Sequence, residues 1–466
     1  MLLRLSKFIK SSTLWIGVAS LFAIFFFIWG TAWFVRQTVS IENGHEGRLS
    51  RTQATWVRYV TGFPGLTRDA ILELLSRVRE DPIPLLVNKV PTEQAHWIRH
   101  FPEQTDSGYL LFSGVDPIAK KSIVKLIRIS DGTVIATWNP DWKYIFEQIE
   151  PKRFSPTSDY TTARAVHPLL LDNGDIIFNT LVSLVRMSIC SPKPVWLLDE
   201  WADHSVEADL DGSIWAQSQA SDGFSENPWL QEHLRDDGLL HLSTDGRILE
   251  NISFSRILRE NGFQSLLLGT SDFSQRSDPA HLNEIQVARQ KSRYWDLGDL
   301  LISARNLSTI FLYRPSSRKI IWHRTGPWMN QHSVDFVDDH RISVFDNNII
   351  FGPPGKYAFM TPSDINRVLV FDFESGQTSQ PYAELLAATR PITHSQGRAR
   401  ILPDGGLFLE ETDYGRHIRF TKEKLLWSRV NDYDDKRTGN LAWSRYFTAE
   451  EVSTPLSALT SRRCGS

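Results

Sequence analysis

The feature that most constrains the fold is a short unit that recurs along most of the chain. In its common form an Asp or Asn lies next to a Gly, and a short run of β-branched or aromatic residues follows. The units lie at residues 130–138, 171–179, 210–216, 243–253, 297–326, 366–382 and 402–431. Asp-Gly and Asn-Gly pairs supply the positive φ angles that tight hairpins require. Each unit therefore predicts a β-meander.

The spacing of these units indicates how they are arranged. They lie roughly 35 to 60 residues apart, which is the size of a four-stranded propeller blade. The unit at 297–326 contains three consecutive strands, LLISAR, STIFLYR and IIWHR, with tight connections. We predict an all-β fold, a six-bladed β-propeller. A β-sandwich or several small β domains would need the same strands and turns and remain the alternative.

A long uncharged segment precedes the repeats. No charged residue occurs between Lys10 and Arg36, and residues 13–35 are almost wholly apolar. A helix of that length would be roughly 35 Å long, enough to cross a hydrocarbon core of about 30 Å. A cleaved signal peptide would have a shorter apolar region and a small-residue cleavage site. We predict an uncleaved transmembrane anchor at 13–35, after a short cytoplasmic N-terminus at 1–12.

The predicted domains follow from these two patterns. Residues 36–106 are predicted to form a membrane-proximal helical linker, because residues 66–81 place apolar side chains on one broad helical face. Residues 107–450 form the propeller, and residues 451–466 form a C-terminal tail. No second apolar run of spanning length occurs. The chemistry is therefore expected in the soluble region that follows the anchor.

Charge and cysteine content exclude several classes of function. A net charge of −3 without a basic block gives no electrostatic footprint for nucleic acid. Cys190 and Cys464 are the only cysteines, which excludes a disulfide framework and a thiolate metal site. We interpret Cys190 as a small buried hydrophobic residue.

Four histidines recur at one place in the predicted blades. His167, His204, His281 and His332 each lie just ahead of, or within, the first strand of a unit. A propeller collects the ends of its inner strands around a central channel, so such residues converge although they are far apart in sequence. A single histidine is more simply explained as a structural or exposed side chain, but four in register indicate a site. His167 differs from the others because a proline follows it.

Five motifs around these histidines follow one another in a fixed order. They are a histidine before a hairpin (204–212), a His-x-Asn pair (His281 and Asn283), a Gly-Asp-Leu-Leu-Ile-Ser-x-Arg strand (298–305), a Trp-bearing strand (Trp322), and a Gln-His ahead of a Phe-Asp-Asn turn (Gln331, His332 and 345–347). This ordered set resembles the bacterial arylsulfotransferases, which transfer sulfate between aromatic compounds without a nucleotide sulfate donor. The resemblance covers roughly residues 160 to 430.

The resemblance implies catalytic roles for five residues. His332 would be the nucleophile that takes the sulfuryl group as a transient sulfohistidine. Arg305 would bind the sulfuryl oxygens, and His281 and Asn283 would add donors to these oxygens or to the bridging phenolic oxygen. His204 would protonate the departing phenolate and deprotonate the incoming phenol. The implied partners are an aryl sulfate donor and a phenolic acceptor, and no cofactor is implied.

Substrate binding is predicted at Arg305 and Asn283 and, from aromatic stacking alone, at Trp322 and Trp328. Histidines, an asparagine and an arginine without clustered carboxylates suit an anionic, proton-transferring substrate, so no metal ligand is predicted. Three imidazoles can nevertheless hold zinc or copper, and a metal site stays open. The stretch near His394 could border the channel, because it precedes the final unit.

The sequence also departs from the family pattern. The secreted members have a cleaved signal, an N-terminal β-rich domain and a pair of cysteines close in sequence, whereas this chain has a predicted anchor and a helical linker. Because the resembling enzymes work outside the inner membrane, the propeller is expected on its periplasmic or extracytoplasmic side. A non-catalytic propeller that binds a ligand or scaffolds a complex at the membrane surface remains the alternative, and a metal or quinone-type redox propeller is a further one.

Overall fold

The computed structural model describes most of the chain after residue 96. The described residues are Gly30, 86–88, 97–149, 162–198, 200–220, 223–225, 227–269, 278–351, 357–359 and 365–464. The chain divides into two compact units, Met1–Pro82 and Ile83–Ser466, and every element named below lies in the second. The predicted anchor, apart from Gly30, and the predicted helix at 66–81 lie outside the described residues. Within the described part, no helix is both long and apolar enough to cross a membrane.

Six antiparallel meanders form the blades of a β-propeller, as the repeats predicted. Strands are numbered in chain order. Blade 1 contains β3 (Tyr109–Asp116), β4 (Lys121–Arg128), β5 (Val134–Trp138) and the C-terminal strand β29 (Arg445–Phe447). Blade 2 contains β6 (Val166–Leu170), β7 (Ile176–Asn179), β8 (Leu184–Met187) and β9 (Trp196–Leu198). Blade 3 contains β10 (Ala202–Ala208), β11 (Ile214–Ala220), β12 (Asp236–Leu242) and β13 (Ile248–Ser253).

The second half of the ring repeats the pattern with small additions. Blade 4 contains β14 (Leu282–Val287), β15 (Leu300–Ala304), β16 (Thr309–Arg314) and β17 (Lys319–Thr325). Blade 5 contains β18 (Ser333–Phe336), β19 (Arg341–Asp346), β22 (Arg367–Asp372) and β23 (Thr378–Ser379), with a hairpin of β20 (Ile349–Phe351) and β21 (Tyr357–Phe359). Blade 6 contains β24 (Arg398–Ile401), β25 (Leu407–Glu411), β26 (Arg416–Phe420), β27 (Leu425–Val430) and an added strand, β2 (Trp97–Arg99). A separate pair joins β1 (Leu86–Asn88) to β28 (Arg437–Gly439).

Short helices lie between some strands. They are α1 (Trp142–Gln148), α2 (Pro228–His233), α3 (Phe254–Glu260), α4 (Gln264–Leu268), α5 (Ala383–Thr389) and α6 (Ser453–Ser461). Two 3₁₀ turns, Arg305–Leu307 and Pro315–Ser317, connect the strands of blade 4. Strands β15, β16 and β17 are the three consecutive strands expected in the unit at 297–326.

Blade strands are apolar on both faces because each blade packs between two others. In β7, Ile176 and Phe178 face the cluster shared with blade 1, and Ile177 faces the cluster shared with blade 3. In β15, Leu300 packs toward blade 3 and Leu301 toward blade 5. Side chains that alternate across a strand thus fill two separate cores, and the first strands of neighbouring blades contact one another around the centre.

The turn signals do not map one to one onto blades. Those at 210–216 and 243–253 both lie in blade 3, where they form the β10–β11 and β12–β13 connections. The signal at 130–138 instead forms the β4–β5 connection of blade 1. Local turn chemistry marks a hairpin without saying which pair of strands in the blade it joins.

Two predictions outside the blades are corrected. The linker at 36–106 is not wholly helical, since β1 and β2 lie in it and β2 extends blade 6. Cys190 is exposed and forms a disulfide with Cys464, 274 residues away in sequence, so its interpretation as a buried hydrophobic residue was wrong. A count of two cysteines excluded a framework, but it could not exclude one bond between residues that the ring closure brings together.

Candidate active site

Backbone geometry brings the predicted histidines to the inner edge of the ring. His167 and His204 lie in the first strands of blades 2 and 3, and His281 directly precedes the first strand of blade 4. All three have positive φ values, of 56°, 50° and 50°, and Trp443 of blade 1 has φ 60°. Residues other than Gly rarely adopt a positive φ, so the surrounding structure must hold these four residues in a strained backbone conformation.

Trp443 is the residue around which the candidate histidines meet. Its ring centroid lies 4.9 Å from that of His167, 5.7 Å from that of His204 and 6.1 Å from that of His332. His281 completes the group, with its ring 4.9 Å from that of His204. Histidines from blades 2 to 5 therefore converge, as their common position in the units predicted.

The hydrogen bonds of His332 fix its tautomer. Asn347 donates its side-chain amide to the backbone oxygens of Thr393 and Gln396, so its Oδ1 is left to accept from His332 Nδ1 at 2.6 Å. His332 Nε2 then carries the lone pair, and it accepts the backbone N–H of Gln396 at 3.0 Å. Burial, and then the positive charge of Arg305, hold the pKa of His332 well below its usual value. At neutral pH the imidazole is uncharged, as a nucleophile requires.

His281 presents a second neutral imidazole. Its Nδ1 donates to Asp278 Oδ2 at 2.5 Å, and its buried Nε2 has no hydrogen-bond partner among the described residues. Burial, together with the charges of Arg305 and His204, lowers the pKa of His281 to about 4 despite the contact with Asp278. The lone pair of Nε2 is therefore available to a proton or a donor on a substrate.

Arg235 lies close to three carboxylates behind these histidines. Arg235 lies 2.5 Å from Asp203, 3.2 Å from Asp237 and 3.9 Å from Asp278. Asp203 in turn lies 3.2 Å from Nδ1 of His204. Burial opposes ionisation of Asp203, but Arg235 and His204 outweigh it and lower its pKa. Burial, with the neighbouring carboxylates, raises the pKa of Asp237 to about 7.

Arg305 and Asn283 are both held near the histidines. Arg305 follows β15, its backbone N–H donates to the His281 carbonyl at 3.0 Å, and its charge affects the pKa of His281 and of His332. Asn283 donates through Nδ2 to the backbone oxygen of Gln331 at 2.8 Å, and its buried Oδ1 has no partner among the described residues. Asn283 thus supports the segment that leads into His332 as well as facing the site.

The two tryptophans predicted to line the substrate site do not reach it. Trp322 lies on β17, the outermost strand of blade 4, where its ring is 5.2 Å from that of Phe371 and 4.7 Å from that of Phe373. Trp328 is buried in the core between blades 4 and 5. Both are corrected to packing residues, because aromatic content alone does not tell a blade interface from a channel wall.

Several site residues could not be singled out from sequence. No motif assigned a role to five of them, namely Trp443, Asn347, Asp203, Asp278 and Arg235. Asn347 was noted only as the end of the Phe-Asp-Asn turn. Gln396 lies in the stretch near His394 that was expected to border the channel. With its side-chain amide turned so that the oxygen faces Arg164, Gln396 also accepts from Arg164 Nη2 at 3.1 Å.

A second polar cluster lies beside the site. His167, Glu207 and Glu284 have possible ligand atoms within 4.8 Å of one another, and all three are buried. Arg445 also enters this cluster, 2.9 Å from His167 Nδ1 and 2.7 Å from Glu207, and Arg398 lies 3.9 Å from Glu207. Two guanidinium groups already balance the two carboxylates, so the donor set fits an ion-pair network better than a cation site.

One family model matches over half of the chain. A family model described as arylsulfotransferase (ASST) matches residues 189–431. No curated protein matches the chain.

Several solved structures resemble the chain at low similarity. A protein of unknown function from Bacteroides caccae is 11% identical, with 73% of this chain and 99% of that chain covered at a TM-score of 0.42. TolB from Acinetobacter baumannii is 7% identical, with 74% and 67% covered at a TM-score of 0.41. Hydrazine synthase from Kuenenia stuttgartiensis is 9% identical, with 71% and 79% covered at a TM-score of 0.36. Matches this weak support no inference about function.

Proposed function

Because the chain belongs to the arylsulfotransferase family, we propose that it transfers a sulfuryl group from an aryl sulfate to a phenolic acceptor through a sulfohistidine, without a nucleotide sulfate donor. One observation carries the proposal: the uncharged imidazole of His332 lies beside Arg305, His281 and His204 around Trp443. A neutral nucleophile, a fixed cation and two further imidazoles are what this chemistry requires.

In the first step, the Nε2 lone pair of His332 attacks the sulfur of the aryl sulfate, and the bond from sulfur to the aryl oxygen breaks. His204 gives a proton to the departing phenolate. The Nδ1 proton of His332 stays in place, because Asn347 Oδ1 accepts it at 2.6 Å. The products of this step are a phenol and a sulfohistidine.

The second step reverses the first with a different phenol. His204, now deprotonated, takes the proton of the incoming hydroxyl, and the phenolic oxygen attacks sulfur. The bond from sulfur to Nε2 breaks and restores neutral His332. Net transfer conserves charge and protons, so no metal, reductant or nucleotide enters the balance.

Charge on the sulfuryl oxygens is met by groups already oriented in the site. Arg305 is always protonated and presents several donors to a tetrahedral oxyanion. The backbone N–H of Gln396, bonded to Nε2 before reaction, is placed to donate to a sulfuryl oxygen once Nε2 is bonded to sulfur. His281 is unprotonated at neutral pH, and its Nε2, which has no partner among the described residues, can accept a proton or a hydrogen bond from the substrate.

The test is turnover of a chromogenic aryl sulfate with phenol as acceptor, measured on the full chain. Wild type should release the chromophore and form phenyl sulfate, and His332→Ala should abolish both. Arg305→Gln should lower the rate by about 10²- to 10³-fold. His340→Ala, in the half-buried β18–β19 turn, is the matched control and should retain activity. Absence of turnover with every aryl sulfate would favour the non-catalytic binding or scaffold propeller.

We also propose that residues 13–35 anchor the propeller at the extracytoplasmic face of the inner membrane. The uncharged stretch at 13–35 supports an anchor. The disulfide between Cys190 and Cys464 supports an oxidising compartment, where such bonds persist. In a bacterial host, the chain should stay in the membrane pellet after alkaline washing, and protease added to spheroplasts should digest the propeller. Recovery in the wash, or protection of the propeller, would refute the anchor or its orientation respectively.

A further inference from the structure

A cavity lies between blade 6 and blade 1, away from the histidines. Its volume is about 400 Å³, within the size range of small-molecule sites. The walls come from β2, β3, β4, β5 and β27, and no residue of the proposed sulfuryl-transfer site lines it. The cavity is therefore a separate feature of the ring closure.

The floor of this cavity contains a buried arginine that contacts no counter-ion among the described residues. Arg429 is 5% exposed, and its Nε and Nη1 atoms have no hydrogen-bond partner in the described part of the chain. Its guanidinium carbon lies 4.7 Å from the ring centroid of Phe112 and 6.0 Å from that of Trp97. Burial lowers the pKa of Arg429 to about 10, which leaves it charged at neutral pH. A buried charge without a partner is unfavourable, so the site favours an anion.

Other charged groups of the cavity are already paired. Asp116 lies 2.5 Å from Lys125 and accepts two backbone N–H groups. The Asp131 carboxylate accepts hydrogen bonds of 2.9 Å and 3.1 Å from the guanidinium of Arg128, which does not line the cavity. Arg99 donates to the backbone oxygen of Ile129 at 2.8 Å. Arg99 is exposed, and Asp116 and Asp432 stabilise the charge of Arg429 only from a distance. The Arg429 guanidinium is therefore the buried cation that a ligand could neutralise.

The outer wall is apolar and open. Ile118 is 90% exposed and Val134 is 46% exposed, although both are large hydrophobic residues that line the cavity. Trp97 also contributes an indole Nε1 that is buried and has no hydrogen-bond partner in the described part. A cation and a free donor thus lie at one side, and apolar side chains lie at the mouth.

We propose that this cavity binds a small monocarboxylate with an apolar body, whose carboxylate meets Arg429 and whose body covers Ile118 and Val134. An anionic group with two acceptor oxygens matches the planar guanidinium, and the apolar body removes exposed hydrocarbon from water. The inference does not depend on the sulfuryl-transfer reaction.

Titration calorimetry of the full chain with 2-naphthoate, octanoate and the neutral 2-naphthalenemethanol tests the proposal. Wild type should bind at least one carboxylate and bind the neutral alcohol more weakly. Arg429→Met keeps the apolar stem and should weaken carboxylate binding by about tenfold or more, as expected for loss of a hydrogen-bonded charge. Arg247→Met replaces an exposed arginine outside the cavity lining, so it is the matched control and should bind as wild type does.

A second variant covers the case in which Arg429→Met does not fold. Val134→Trp changes an exposed strand residue and should block the cavity for carboxylate and alcohol alike. Both variants should retain aryl sulfate turnover, because neither touches the histidine site. Failure of wild type to bind either carboxylate, or equal carboxylate affinity in folded Arg429→Met, would overturn the proposal.

Discussion

At the residue scale, sequence motifs singled out the candidate histidines but not the residues that contact and orient them. The position of His204, His281 and His332 in the units predicted that they would converge, and they do. Trp443 joins the site because β29 closes the ring beside β3, and Gln396 joins it from the segment before β24 in the blade next to His332. No local pattern encodes either contact. The predicted roles of the site residues remain predictions until activity is measured.

Asn347 should act as a positioning residue for His332. Asn347→Leu removes the acceptor of the Nδ1 proton and should lower kcat by about 10²-fold at every pH, as loss of an orienting partner does. Asn347→Asp keeps an acceptor and adds negative charge, which raises the pKa of His332. The acidic limb of the kcat/KM pH profile of Asn347→Asp should therefore move to higher pH. Equal losses in both variants, with no shift of the profile, would argue against this role.

The low pKa of His281 has a consequence for stability. Its value in the fold is about 4, against an ordinary value of 6.5. Between these values the unfolded chain binds a proton that the folded chain does not, so stability is lost as pH falls from 6.5 toward 4. From pH 7 to pH 5, wild type should lose about 2 kcal/mol more unfolding free energy than His281→Gln.

Urea unfolding at the two pH values measures this difference. His340→Gln serves as a control of opposite sign, since the hydrogen bond to Asp339 raises the pKa of His340 and its removal cannot lessen the loss in acid. If wild type and His281→Gln lost stability in parallel, His281 would not be the neutral buried group described here.

At the element scale, the start of each inner strand carries the site. Strand alternation and Asp-Gly turns predicted the meanders because both are local signals. The left-handed residues that turn side chains toward the centre were not predictable, since His204 and His281 are not residues that favour this conformation. The added strand β2 was also missed, because its pairing with β27 spans the ring closure.

Gly397 directly precedes the inner strand β24, and a substitution there is informative. Its φ is 96°, and a Cβ there would lie 2.3 Å from the Phe345 ring. Gly397→Ala should shift the start of β24, move the Gln396 N–H away from His332, and lower both melting temperature and kcat. Gly376→Ala has a comparable φ of 69° but open space around it, so it should cost about 1 kcal/mol and leave kcat unchanged. Equal effects of the two substitutions on kcat would contradict the placement of Gln396.

At the scale of the whole molecule, the ring is closed twice. Strand β29 completes blade 1 beside β3, and the disulfide from Cys464 to Cys190 fastens the end of α6 to blade 2. Arg462 adds an ion pair to Asp175 at 2.6 Å. The number of blades could be predicted from repeat spacing, whereas the second closure could not, because two isolated cysteines give no pattern.

The disulfide should contribute measurably to the stability of the ring. Cys464→Ser should lower the free energy of unfolding by about 3 kcal/mol, the middle of the range that a disulfide typically contributes. A reducing agent should lower the melting temperature of wild type to that of Cys464→Ser. It should leave the melting temperature of Cys464→Ser unchanged. A wild type that is insensitive to reduction would show that the bond does not form.

The most direct test of the central claim is the mass of the protein after brief exposure to an aryl sulfate without acceptor. Wild type should gain one SO₃ group, peptide mapping should place it on His332, and a phenol should then remove it. His332→Ala should gain none. An SO₃ group on another residue, or phenol-dependent turnover with no protein-bound SO₃ group, would rule out a sulfohistidine at His332.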